Sequence, residues 1–255
     1  MQSLKNENVL QAVVLVPSRE LALQIEQVFK SMGTGIPVMS CYGGGPAMDE
    51  RRTMKSLNPQ VIIGTPGRMN DHLNKGNIDA SHVHTLVIDE FDKCLEMGFQ
   101  EEMSEVIAQI PYLKRRFLLS ATDAPAIPRF VSEGDFLKLL EDEEQIPERI
   151  KVYTVKSPEK DKLEVLSKLL CYLGDKSSLV FVNYRESVER VYRYLLQAGI
   201  SCEMFHGGME QKDRERALYK FSNGSCNVFV STDLAARGLD IPNIDHVIHY
   251  HLPLN

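Results

Sequence analysis

Short apolar runs alternate along this chain with longer stretches whose apolar residues recur at helical spacing. Val13-Val14-Leu15-Val16 is a β-rich run that stops at Pro17, and Ser18 is then a candidate N-cap. Leu21, Ile25, Val28 and Phe29 share one helical face, which ends at Gly33. Strands are predicted at 38–42, 61–63, 85–88 and 117–119, with helices at 47–57, after Gly67, and near 100–110. An acidic run, Glu141 to Gln145 followed by Pro147, has no apolar face and reads as a solvated linker. The alternation then restarts. A strand with period-two character is expected at 150–155, a helix at 160–172, a strand at 178–182 and a helix at 187–198. Met204-Phe205, a charged helix over 211–221, and strands at 228–230 and 246–250 complete the pattern.

Strand–helix alternation with short polar connections predicts an α/β fold, with parallel sheets covered by helices on both faces. The expected division is a first domain over 1–142, a linker at 143–149 and a second domain over 150–255. Gly, Pro, Thr, Arg and carboxylates cluster directly after the strands. In a parallel sheet those positions share one edge, the edge where such folds bind ligands.

The sharpest case is Thr85-Leu86-Val87-Ile88-Asp89-Glu90-Phe91-Asp92, an apolar run ending abruptly in carboxylates. Asp89 could hold hydrated Mg²⁺ on a nucleotide, and Glu90 could orient the water that attacks a γ-phosphate. A strand ending in a polar turn fits these residues equally well, and both readings stand at this point.

Composition narrows the picture only a little. Net charge is −6, so a phosphate-binding surface has to be local. The five cysteines are scattered and form no Cys-x-x-Cys pair, which supports neither a disulfide framework nor a zinc site. They read as small buried hydrophobes in a reducing compartment. No apolar run is long enough to span a membrane, and Met1 to Asn8 lacks the apolar core of a signal peptide. The expectation is a soluble cytoplasmic protein. His206 has no partner ligands at metal-site spacing and reads as a capped strand end.

Taken in order, these residues match a known pattern. Pro17-Ser18-Arg19-Glu20-Leu21-Ala22 looks like motif Ia, Gly43-Gly44 like the GG element, and Thr65-Pro66-Gly67-Arg68 like motif Ib of one helicase family. Asp89-Glu90-Phe91-Asp92 matches its motif II, with Phe where that family has Ala, and Ser120-Ala121-Thr122 matches motif III. Val180-Phe181-Val182-Asn183 looks like motif IV, and Gln211 with Arg214 like the QxxR element. Thr232-Asp233 through Ala235-Ala236-Arg237-Gly238-Leu239-Asp240 is similar to motif V. Each element alone is weak, and a lone Gly is usually an ordinary turn. Their joint order is specific: the chain resembles the DEAD-box RNA helicases.

That resemblance implies two RecA-like domains that use ATP and Mg²⁺ to remodel RNA. Asp89 would hold Mg²⁺ through water, and Glu90 would handle the attacking water. Asp92 would bond toward Ser120 and Thr122, coupling hydrolysis to domain movement. Arg237, Gly238 and Asp240 would approach the nucleotide. RNA would lie on Pro17, Arg19, Gly43, Gly44, Thr65, Gly67 and Arg68 of the first domain. In the second it would meet Arg185, Gly207, Gln211, Arg214 and Thr232. Backbone contacts of this kind position a strand without reading its sequence. Phe91 could pack against the sheet or alter the site, and its lack of a reactive group favours packing.

Departures from the pattern matter too. A P-loop needs Gly-x-x-x-x-Gly-Lys-Ser/Thr, and no Gly in these 255 residues is followed by Lys. The arginine-bearing motif VI is also not among them. Both domains are therefore expected to be incomplete, the first less stable than the second, and this polypeptide inactive in hydrolysis by itself. A non-catalytic RNA-binding scaffold and a DNA-directed helicase are the rival readings. The motif set argues against the latter.

Overall fold

The structure, a computed structural model, describes residues 8–122, 127–131, 150–158, 160–236, 241 and 243–252. The chain divides into two units, Met1–Leu139 and Leu140–Asn255. The acidic run and the expected linker at 143–149 lie outside the described residues.

In the first unit, β1 (Ala12–Leu15), β2 (Val38–Cys41), β3 (Val61–Gly64), β4 (Thr85–Ile88) and β5 (Arg115–Leu118) form a parallel sheet in the order β2-β3-β1-β4-β5. The connections are α1 (Arg19–Ser31), α2 (Ala47–Leu57), α3 (Pro66–Asn74), α4 (Phe91–Glu96) and α5 (Gln100–Ala108). The pleat explains why these strands read as continuous apolar runs. Val13, Leu15 and Ile62 enter the core on one face, while Ala12, Val14, Val61 and Ile63 enter the core on the other. Ser18 caps α1 as expected, its Oγ accepting the Leu21 N–H at 3.2 Å.

The second unit repeats the scheme. β6 (Ser178–Val182), β7 (Cys202–Phe205), β8 (Val228–Thr232) and β9 (His246–His249) form a parallel sheet ordered β7-β8-β6-β9. Its helices are α6 (Leu163–Leu173), α7 (Arg185–Gln197), α8 (Gln211–Ser222) and the short α9 (Asp233–Ala236). Val180 and Val182 face one core, and Leu179 and Phe229 the other.

Several expectations need correction. Residues 150–155 form no strand: Ile150, Val152, Tyr153 and Val155 are all exposed. A period-two pattern makes a strand only when a neighbour supplies ladder partners, and none pairs with this segment among the described residues. β5 starts at Arg115, earlier than expected, and lies at the sheet edge with Phe117 exposed. α4, directly behind the carboxylates, was not anticipated. Four cysteines are buried, but Cys171 is exposed.

Candidate functional site

Because all strands within each sheet are parallel, their carboxyl ends share an edge, and the unusual residues follow those ends. β4 delivers the carboxylates. The Asp89 N–H continues the ladder to Leu15 O at 2.9 Å, and Asp89 Oδ1 accepts the Glu90 N–H at 2.9 Å. Glu90 is left-handed, with φ 48° and ψ 50°. A non-glycine residue there is strained, and such strain concentrates where a side chain must be aimed. Phe91 then turns inward. It is 1% exposed, sits in the core, and its N–H donates to Leu119 O at 2.9 Å, so it packs rather than lines the site. It anchors the turn that leaves Asp89 and Glu90 half-buried at the edge.

Asp92 is nearly buried. Its Oδ1 accepts the Lys93 N–H at 3.0 Å, and its Oδ2 accepts the Thr122 hydroxyl at 2.8 Å. Burial pushes the Asp92 carboxyl up, but the Thr122 and Lys93 N–H hydrogen bonds, with the Lys93 charge, outweigh it and hold it below the usual range. The Ser120 hydroxyl donates to Thr122 O at 2.7 Å, which ties up the segment after β5. The carboxylates are felt behind the turn: burial first, then Glu90, Asp89 and Asp92, push the Cys94 thiol up to about 12.

The loops after β2 and β3 lie alongside. Pro17 is buried and shapes the exit from β1 without presenting a surface. The Arg19 guanidinium lies against Gly44, whose φ is +107°, and a Cβ there would overlap it. Gly43 is half-buried, whereas Gly44 and Gly67 are exposed. Thr65 precedes Pro66 at the start of α3. Arg68 reaches across to the glycine loop, donating from Nη2 to Gly45 O and from Nη1 to Glu50 Oε2, both at 2.9 Å.

The second unit has a parallel arrangement. Arg185 opens α7 and lies against Gly208, with its Nε 3.3 Å from Glu189 Oε1. Gly207 is exposed. The Arg214 guanidinium stands 4.7 Å from the Phe205 ring centroid. Gln211 donates to Glu215 Oε1 at 3.0 Å, and Thr232 Oγ1 accepts the Ala235 N–H at 3.3 Å. His206 is buried after β7, its Nδ1 accepting the Gly208 N–H at 3.2 Å. Burial and the neighbouring Arg185 hold its pKa low. Arg237, Gly238 and Asp240 lie outside the described residues.

Within the first unit the structure therefore gathers Asp89, Glu90, Asp92 and Thr122, and separately Arg19, Gly43, Gly44 and Arg68. Two residues absent from the expectation join the second group, Glu50 and His72. Only the i,i+4 spacing of Arg68 and His72 on α3 hints at them in the sequence.

Comparison with known proteins finds similarity along both units. A family model described as DEAD/DEAH box helicase matches residues 1–129, and one described as helicase conserved C-terminal domain matches residues 161–255. The ATP-dependent RNA helicase CshA of Listeria monocytogenes is 36% identical over 98% of this chain and 48% of its own length. The DEAD-box ATP-dependent RNA helicase CshA of Geobacillus kaustophilus is 35% identical over 98% of this chain and 54% of its own. The chain thus spans about half the length of these curated relatives. S. cerevisiae Dbp5 bound to RNA and ADP BeF3 superposes with a TM-score of 0.79 at 28% identity, over 97% of this chain and 64% of that one.

Proposed function

Since the chain belongs to the DEAD/DEAH box helicase family, we propose that it supplies the core of an ATP-dependent RNA helicase. The observation that carries the proposal is the carboxyl edge of the first sheet. There a strained Glu90 stands beside Asp89, and Asp92 is bonded to the segment after β5. Dbp5, the relative described with RNA and ADP BeF3, supports a nucleotide and RNA as ligands.

In this reading Asp89 offers a hard oxygen donor that would hold hydrated Mg²⁺, and the ion would supply positive charge to offset that of nucleotide phosphates. Glu90 orients the attacking water. Asp92 and Thr122 pass the state of the nucleotide to the segment after β5. Gly43, Gly44 and Gly67 let backbone N–H groups approach RNA phosphates, because no Cβ intervenes. Arg19, Thr65 and Arg68 shape that surface, and Arg185, Gly207, Gln211, Arg214 and Thr232 form its counterpart in the second unit. Arg237, Gly238 and Asp240 are proposed for the nucleotide on resemblance alone. RNA is bound through its backbone, with little base preference. No helix among the described residues is long and apolar enough to cross a membrane. The five free thiols support a reducing compartment, and a cytoplasmic location is proposed.

The second reading is an RNA-binding scaffold without hydrolysis; these 255 residues by themselves hold no Gly-Lys pair of the kind a phosphate-cradling P-loop uses. A polypeptide of these residues alone is accordingly expected to release phosphate from ATP at background rate. A competition assay between RNA and DNA of the same sequence, with and without ATP, separates the readings. RNA preference that strengthens with ATP supports the helicase core. RNA preference indifferent to ATP supports the scaffold, and preference for DNA overturns both.

A further inference from the structure

His72 is fully buried on α3 and uses both ring nitrogens. Its Nδ1 faces the Asn77 amide nitrogen at 3.1 Å, so Nε2 carries the proton and donates to Glu50 Oε2 at 2.6 Å. The same carboxylate accepts Arg68 Nη1 through Oε2 and the Tyr42 N–H through Oε1, the latter at 3.0 Å. Arg68 Nη2 closes the circuit on Gly45 O. One carboxylate thus ties the loop after β2 to the first turns of α2 and α3. Arg68, only 12% exposed, spends a donor from each terminal nitrogen inside the protein.

We infer that Glu50 and His72 are positioning residues for RNA binding, acting through Arg68 to hold the Gly43–Gly45 loop in the shape that meets a phosphate. This rests on reading that loop as part of the RNA surface. Arg68 then works chiefly as a clasp, and the loop's backbone N–H groups face the ligand. Cys41 Sγ completes a cluster whose candidate ligand atoms all lie within 4.8 Å of one another. The cluster is not a cation site, because the Arg68 guanidinium already occupies the cation's place beside Glu50. Glycine at 44 and 45 makes the clasp necessary. An unrestrained glycine loop samples many conformations, and fixing it in advance removes that ordering cost from binding.

The test compares the 255-residue chain with His72→Leu and His72→Gln by hydrogen exchange and by anisotropy of a labelled single-stranded oligoribonucleotide. Gln can place its amide nitrogen near the Nε2 position, and Leu cannot. The expected result for His72→Leu is roughly tenfold faster exchange over 42–46, the weight of one charge-assisted hydrogen bond, with β4 unchanged. RNA affinity should fall about three- to tenfold in step. His72→Gln should restore both. Unchanged exchange over 42–46 in His72→Leu, or a His72→Gln chain as impaired as His72→Leu, overturns the inference. Should His72→Leu also lose protection in β4, Glu50→Gln gives the reading. Loosening confined to 42–46 supports the clasp, and an unchanged loop overturns it. A wild-type chain that binds no RNA overturns the RNA role, while loop exchange still decides the clasp.

Discussion

Glu90 lets the cost of aiming a carboxylate be measured directly. With φ 48° and ψ 50°, it holds a conformation that costs an L-residue about 1–2 kcal/mol. Glycine adopts it freely but loses about 0.5–1 kcal/mol more backbone entropy on folding than alanine does. Glu90→Ala keeps the strain and removes the carboxylate, whereas Glu90→Gly removes both. Whatever the Glu90 side chain contributes to stability cancels between the two variants. Glu90→Gly should therefore be more stable than Glu90→Ala by about 0.5–1 kcal/mol, the difference of the two terms. In calorimetry the transition of the first unit should lie about 2–4 °C higher for the glycine variant. A glycine variant no more stable than the alanine variant would refute the claim that this turn is strained in order to aim Glu90.

Other expectations follow from the same geometry. Thr122→Val keeps the side-chain shape but takes a donor from Asp92 Oδ2, and should destabilise the first unit by about 1–2 kcal/mol in calorimetry. Gly208→Ala places a Cβ against the end of the flexible, exposed Arg185 side chain. It should leave melting unchanged within about 0.5 kcal/mol while weakening RNA binding measured by anisotropy. Asp92 and Glu50 both have carboxyls held below the usual range. For Glu50, burial pushes up but is outweighed by the His72 and Tyr42 hydrogen bonds and by Arg68. The folded form thus binds fewer protons than the unfolded chain. The stability these groups contribute is complete above their ordinary values of 4.5 and 3.8, and it drains away as pH falls through the lowered folded values. An acid titration of melting temperature should show that loss, and Glu50→Gln should remove the Glu50 share while leaving that of Asp92.

Much of this was legible in the sequence, for identifiable reasons. Strands buried on both faces announce themselves as unbroken apolar runs, so β1, β3, β4, β6 and β8 stand out in the bare text. The carboxylates stand out because they follow such a run without a spacer. α4 was missed because its start depends on a left-handed turn at Glu90, which side-chain periodicity does not encode. Residues 150–155 carry a strand's pattern, but a pattern cannot report whether a partner is present. No sequence pattern pairs Glu50 with His72, because 22 residues separate them and only the packing of α3 beside the start of α2 joins them. The resemblance points to Arg68 as a phosphate ligand, and its geometry commits two of its five N–H donors to Glu50 and Gly45.

If the carboxyl edges of these sheets hold RNA by its backbone, phosphates rather than bases set the affinity. The most direct measurement is the affinity of the 255-residue chain for single-stranded oligo(A) and oligo(U), taken at several salt concentrations. Binding of the two sequences should agree within about threefold, with affinity falling steeply as salt rises, because phosphates carry the contact. Absence of binding, or a strong base preference insensitive to salt, would contradict it.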